Sequence, residues 1–279
     1  MSKDLDEYLS KTPKPEAFLR EMNYSGKEGT HYCPGCGHGI VCKVIGEVLD
    51  EMIHPKTGRP LREDSIVIAS VGCAVFDYHF YKCDRAEAPH GRATDYASQR
   101  KKEDPDLVVF THQGDGDLLG IGLGPTVHTA NSNDPVTVFF VNNAIYGMTG
   151  GQMAPTTLEG QKSTTTQQGR YAKYFGYPLR ACELLTSQDN ESPAFIARTT
   201  VRNDSDLKTL KDYARKAFRI QLKGLGFSLV EIVSPCPTNW GMTPEKALEF
   251  IDKEMLKIYP LGVFRDLEDE LEKKYGSWV

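Results

Sequence analysis

No apolar stretch in the 279 residues approaches the length of about 18 that a membrane-spanning helix needs. This excludes a helical span and argues against a secretory signal peptide. Long basic runs are missing too, and the formal net charge is -5, so neither nucleic acid nor a membrane is expected as a partner. The seven cysteines are odd in number, which argues against a disulfide framework and for a reducing cytoplasm. No internal repeat is visible. The first 29 residues are polar and interrupted by Pro13 and Pro15, and they are expected to form an arm that packs on a neighbour or stays loose.

What is present suits a folded α/β domain. With 39% hydrophobic residues the chain can bury a full core. Residues 107–111 (LVVFT) and 135–141 (PVTVFFV) are β-branched and aromatic runs that read as buried strands, as do 65–71 and 227–233. Apolar residues near helical spacing over 118–131 make a right-handed strand, helix, strand crossover the natural connection between the first two. Residues 206–222 predict a helix with Leu207, Leu210, Ala214, Ala217 and Phe218 on one face. Thr243 and Pro244 mark the N-cap and first turn of another, running to about Ile258. The fold class expected is a parallel sheet flanked by helices.

In such sheets, ligands sit outside the carboxyl ends of the strands. Two features emerge there: the turn Gly114-Asp115-Gly116, and Asn142-Asn143 at the end of the next strand. Magnesium takes hard oxygen ligands and binds through few protein groups plus phosphate and water. Asp115 offers a carboxylate, Asn143 an amide oxygen and Ile145 a backbone carbonyl. Gly114 and Gly116 let N–H groups approach a pyrophosphate, and the small residues from Gly147 to Gln152 suit a backbone wrapped around phosphates. Residues 158–170, threonine-rich at 163–166, read either as a lid over this site or as a solvated loop.

Cys33 and Cys36 form a CxxC spacing that allows two thiolates to reach one metal or cluster, with a redox dithiol as the rival reading. Cys73 and Cys236 each follow a strand-like run. Cys42, Cys83 and Cys182 read as ordinary buried residues.

The glycine-acid-glycine turn with the paired asparagines resembles the thiamine diphosphate motif. The string NNAIYGMTGGQMAPTT, Asn142 to Thr157, is similar to the β subunits of 2-oxoacid:ferredoxin oxidoreductases. HYCPGCGHGI, VGCAVF, HGRA and SPCPTNWGMTP extend the likeness over roughly residues 30 to 260. The cysteine-rich string resembles the enzymes for 2-oxoglutarate and branched-chain 2-oxoacids more than those for pyruvate. The resemblance implies a thiamine diphosphate-binding fold over 30–260, between an N-terminal arm (1–29) and a C-terminal tail (261–279).

It also implies three cofactors: thiamine diphosphate, Mg2+ held by Asp115, Asn143 and Ile145, and one 4Fe-4S cluster held by Cys33, Cys36, Cys73 and Cys236. The cofactor-binding residues it implies are Gly35, His38, Gly72, Cys73, His90 and Gly91, then Gly114, Asp115, Gly116 and Asp117, then Asn143, Ile145, Tyr146, Gly147, Met148 and Thr149. His90 is also the catalytic candidate; without the resemblance it reads as a hydrogen-bonded structural histidine. His31 is a weaker candidate for approaching the cofactor. The reaction implied is oxidative decarboxylation of a 2-oxoacid to its acyl-CoA and CO2, with electrons leaving to ferredoxin. An α subunit would bring the aminopyrimidine half of the site, alongside a γ subunit and a ferredoxin-like δ subunit. In keeping with that division, no glutamate here falls in a recognisable context for activating the cofactor. Two other readings stand: a non-oxidative thiamine diphosphate-dependent decarboxylase or synthase subunit, and a scaffold with zinc at the CxxC.

Overall fold

The β-branched and aromatic runs do form strands, and the amphipathic segments between them fold back as helices. The computed structural model describes residues 30–187 and 190–276; the arm expected at 1–29 lies outside them. In chain order the main elements are α1 (His38–Glu51), β1 (Ser65–Ala69), β2 (Asp84–Glu87), α2 (Ala93–Glu103), β3 (Val108–Gly114), α3 (Leu123–Asn131), β4 (Thr137–Asn142), β5 (Phe195–Thr200), α4 (Asp204–Leu222), β6 (Ser228–Val233), α5 (Pro244–Phe250), β7 (Gly262–Asp266) and α6 (Glu268–Tyr275). A π-helical turn, Ile251–Met255, continues α5 towards Ile258. Another, Gly116–Ile121, leads into α3, so the helix expected from 118 starts earlier and with a wider turn.

The seven strands lie in the order β2-β1-β3-β4-β6-β5-β7. All neighbours are parallel except β7, which runs antiparallel to β5. The stretch from 261 expected as a tail is therefore part of the sheet: Gly262–Asp266 pairs with the free edge of β5, and α6 follows it.

Side-chain alternation on the strands divides the core in two. Phe110, Phe139 and Val141 face α1 and α4, where Phe218 meets Phe110 edge to face at a centroid distance of 5.7 Å. Val109, Val138 and Phe140 face the opposite way, onto Ala93 and Ala97 of α2 and Ala130 of α3. Gln221 near the end of α4 closes a gap in the ladder. The Val109 N–H donates to its Oε1 at 2.7 Å, and its Nε2 donates to Val109 O at 2.7 Å and Thr137 Oγ1 at 2.8 Å, so no buried main-chain group of Val109 is left unpaired there.

Candidate functional site

Strand register brings the chemistry to one edge. Gly114 pairs with Val141, and Asn142 pairs with Val233, so the chain leaves β3, β4 and β6 at the same level. From β1 the chain turns outward to β2, while from β3 it continues the other way to β4. The carboxyl ends of β1 and β3 are thus a topological switch point, where a crevice opens. A cavity of about 240 Å³ lies there. It is lined from after β1 by Val71, Gly72 and Cys73, from after β3 by Gly114, Asp115, Gly116 and Asp117, and from after β4 by Asn143 and residues 145–149. His38, His90 and Ile121 complete the wall.

Two residues from the resemblance stay outside this cavity. A Cβ on Gly35 would lie 2.8 Å from Cγ of Pro244, so this glycine exists for close packing at a φ of +77°. Gly91 packs backbone to backbone with Gly122, and its N–H donates to Asp117 Oδ1 at 2.7 Å. Its effect on the cavity is indirect, through Asp117.

The three oxygens expected to hold magnesium converge. The amide position of Asn143 that bears Oδ1 lies 2.7 Å from Ile145 O and 3.1 Å from Asp115 Oδ1. Three acceptors this close repel one another unless a cation lies among them or the amide turns over to put its NH2 there. Around a magnesium ion, oxygens at about 2.1 Å stand roughly 3 Å apart along an octahedral edge, so the spacing fits the ion. Asp115 is buried, and burial pushes its carboxyl up to about 7, against the opposing hydrogen bond from Thr156 Oγ1. The loop geometry is set by two Asx turns: Ala144 N–H donates to Asn142 Oδ1 at 3.2 Å, and Ile145 N–H to Asn143 Oδ1 at 3.3 Å. They hold Ala144 at a φ of +56°. The Asn142 amide itself turns away from the site, donating from Nδ2 to Glu231 Oε1 at 2.7 Å.

Asp117 is held by three contacts. His90 Nδ1 and the Gly91 N–H each lie 2.7 Å from Oδ1, and Gln113 Nε2 donates to Oδ2 at 2.6 Å. This fixes His90 at the cavity wall by one nitrogen and leaves the ring 43% exposed. On the other wall Tyr146 packs on Gly116, where a Cβ would come within 2.9 Å of its ring.

The cysteines gather beside this loop. A Cβ on Gly147 would lie 3.2 Å from Cys73 Sγ and 3.7 Å from Cys236 Sγ. The Cys36, Cys73 and Cys236 thiols are all pushed up, chiefly by burial and further by neighbouring sulfurs, Cys73 to about 12. Such a group stays protonated unless a cation compensates the thiolates. Cys33 is exposed. Cys42 and Cys182 are buried, as expected, and Cys83 is half-buried.

Several participants carried no local signal. Asn239 donates from Nδ2 to Gly147 O at 3.1 Å and to Cys236 Sγ at 3.3 Å, and Trp240 Nε1 donates to Asn143 O at 3.1 Å. Together they bolt the cysteine turn to the oxygen-bearing loop. Both lie inside the string SPCPTNWGMTP, which was the available clue. His112, inside β3, lies 3.0 Å from His38. His31 stacks among Tyr32, Phe76 and Phe80, away from the cavity wall. Residues 158–170 fold back on the loop, with Thr164 N–H donating to Gly151 O at 2.8 Å. Buried Arg170 donates to the carbonyls of Pro155 and Thr157 at 2.9 and 2.7 Å.

Residues 70–232 match the family described as thiamine pyrophosphate enzyme, C-terminal TPP binding domain. Ketoisovalerate oxidoreductase subunit VorA of Methanothermobacter thermautotrophicus is 44% identical over 89% of the chain, which spans 50% of that relative's length. 2-oxoglutarate synthase subunit KorB of Methanocaldococcus jannaschii is 33% identical over 86% of the chain and 82% of its own length. In fold, the chain is similar to 2-oxoglutarate:ferredoxin oxidoreductase from Magnetococcus marinus, with a TM-score of 0.67, 23% identity and 95% of each chain covered. The cavity at the switch point, with its oxygens and thiols, is therefore that of a chain that belongs to the thiamine pyrophosphate enzymes and, among them, to the 2-oxoacid oxidoreductase subunits.

Proposed function

We propose that this chain is the thiamine diphosphate- and cluster-binding subunit of a cytoplasmic 2-oxoacid:ferredoxin oxidoreductase. The reaction converts a 2-oxoacid and coenzyme A to acyl-CoA and CO2, and reduces ferredoxin. The observation that carries this reading is the convergence of one amide atom of Asn143 on Ile145 O and Asp115 Oδ1 at 2.7 and 3.1 Å, on a cavity whose wall also includes Cys73. When bound, thiamine diphosphate supplies an electron sink for the carbon that loses CO2, and a 4Fe-4S cluster supplies a one-electron acceptor.

The protein's own residues divide the work. Asp115, Asn143 and the Ile145 carbonyl hold Mg2+, and the N–H groups around Gly114 and Gly116 face the pyrophosphate. Residues 147–149 line the same cavity and would flank it. His90, anchored by Asp117, offers its outward nitrogen to the reacting end of the cavity. Cys33, Cys36, Cys73 and Cys236 hold the cluster. Zinc held by four thiolates at about 2.3 Å would draw the sulfurs to roughly 3.8 Å from one another. Among the described residues, no three of these sulfurs lie within 4.8 Å of one another, and the iron content of the native complex decides between zinc and the cluster.

An α subunit carrying the aminopyrimidine half, with γ and ferredoxin-like δ subunits, completes the enzyme. The name of the relative at 44% identity supports a branched-chain 2-oxoacid such as 2-oxoisovalerate as substrate; 2-oxoglutarate, from the relative at 33%, is the second reading.

The test is anaerobic iron, acid-labile sulfide and thiamine diphosphate content of the native complex, with EPR after reduction. Cys236→Ser should remove one cluster signal, and Asp115→Ala should release thiamine diphosphate while leaving iron in place. A wild-type complex without iron would move the chain to non-oxidative thiamine chemistry, and full thiamine diphosphate content in Asp115→Ala would sink the metal assignment.

A further inference from the structure

A buried line of polar side chains leads from the turn after β1 to the cofactor cavity. His38 lines the cavity, and its Nδ1 lies 3.0 Å from Nε2 of His112. The other nitrogen of His112, Nδ1, lies 2.7 Å from Oδ2 of Asp77. Oδ1 of the same carboxylate accepts from Tyr32 OH at 2.6 Å and from Cys42 Sγ at 3.3 Å. His38, His112, Asp77 and Cys42 are each at most 1% exposed.

The far end of this line sets its direction. An ionised carboxylate only accepts, so a neutral His112 at 2.7 Å carries its hydrogen on Nδ1; the approach to Oδ2 is off the N–H axis, and Cys42 Sγ also lies 3.6 Å from that nitrogen. A neutral His112 with hydrogen on Nδ1 has its lone pair on Nε2, and Nδ1 of His38 must then donate to it. That leaves Nε2 of His38 with a lone pair, and it is the nitrogen not engaged by His112. We propose that Asp77 and His112 are positioning residues that lock His38 in its Nδ1-protonated tautomer, so that it offers a hydrogen-bond acceptor to an O–H or N–H group of the bound cofactor or substrate. The arrangement has the logic of a carboxylate orienting a catalytic imidazole, lengthened by one ring. The tautomer rests on these contacts together with a neutral His112, whereas the acceptor's role rests on the thiamine diphosphate reading of the cavity.

The experiment is long-range nitrogen–proton NMR of the full chain labelled with [15N]histidine, its seven histidines assigned by substitution. Wild type should show hydrogen on Nδ1 of both His38 and His112. Asp77→Asn keeps the shape: its amide oxygen still accepts from Tyr32, while its NH2 donates to His112 Nδ1. The two imidazole contacts then reverse while the Tyr32 bond keeps its direction, and His38 should carry its hydrogen on Nε2. In the assembled complex kcat should fall about 10–100-fold, with the 2-oxoacid KM changed less than about twofold. His112→Gln can present its amide oxygen to His38 and should keep the Nδ1 tautomer and most of the turnover. An Nε2-protonated His38 in the wild type, or an unchanged His38 in Asp77→Asn, overturns the proposal. So does full turnover in Asp77→Asn with the tautomer reversed. Calorimetric titration of magnesium and thiamine diphosphate into the wild-type complex separates the two readings: no binding removes the cofactor assignment and the acceptor's role together, while the tautomer line of evidence is read independently.

Discussion

Asp115 meets two opposed demands, since a metal ligand must be ionised and a group 3% exposed resists ionisation. Burial pushes its carboxyl from an ordinary 3.8 up to about 7. The folded, metal-free chain therefore keeps a proton that the unfolded chain has lost, and stability from this group is full below about pH 4 and declines as pH rises to 7. The whole effect amounts to at most about 4 kcal/mol. Asp115→Asn removes the ionisation. Without magnesium, the variant should be more stable than wild type at pH 8 and match it near pH 4 in denaturant unfolding, and magnesium should stabilise the wild type alone. Identical pH slopes for the two proteins would mean that burial is not what governs residue 115. Residues such as Asp115, Asn143 and Cys73 were legible in the sequence because turn chemistry and strand ends are local signals. Thr156, His112, Asp77, Asn239 and Trp240 were not, because each acts through a partner distant in the chain. Gly35 and Gly91 were drawn into the cofactor set by their position within recognisable strings, whereas their neighbours show close packing against Pro244 and Gly122.

Between elements, the clearest electrostatic clamp joins α4 to α6. Glu268 opens α6 and meets Arg219 Nε at 2.6 Å and Lys223 Nζ at 3.2 Å. These partners, Arg219 first, pull its carboxyl down to about 2 from an ordinary 4.5. A depressed carboxyl stabilises the fold above its ordinary value, and that stability is lost as pH falls towards 2. Arg219 is 46% exposed, so solvent screens the pair and a fair magnitude is about 1–2 kcal/mol. Glu268→Gln should lower the denaturant midpoint at pH 7, with the difference from wild type closing near pH 2. A penalty unchanged at pH 2 would assign Glu268 to packing instead of charge. The apolar face of α4 could be read from its spacing, as could the buried central strands. β7 could not, since its residues, Gly-Val-Phe-Arg-Asp, are half-buried or exposed and lack the strong apolar signal of the central strands. The π turns after Asp115 and after α5 were equally hidden, because a change of winding leaves apolar spacing nearly helical.

At the scale of the whole molecule, the site has an open, apolar rim. Ile121 and Met148 line the cavity yet are 59% and 50% exposed, an arrangement that leaves large hydrophobic side chains in water beside a cofactor whose chemistry requires water to be kept out. The relative with 44% identity is twice as long as the matched region, so there the same fold is continuous with further polypeptide. If the aminopyrimidine half of the site docks on this rim from a partner subunit, two consequences follow together. The purified chain should turn over no 2-oxoacid, even with magnesium, thiamine diphosphate and an intact cluster, and adding the partner subunits should restore acyl-CoA formation. Hydroxyl-radical oxidation of Met148, read by mass spectrometry, should fall several-fold on assembly, because docking would remove its exposed thioether from solvent. Turnover by the chain alone at the rate of the complex would show that the missing carboxylate lies within these 279 residues after all. Undiminished Met148 labelling in an active complex would instead place the partner's half of the site against a different wall, one that leaves the rim of β4 open.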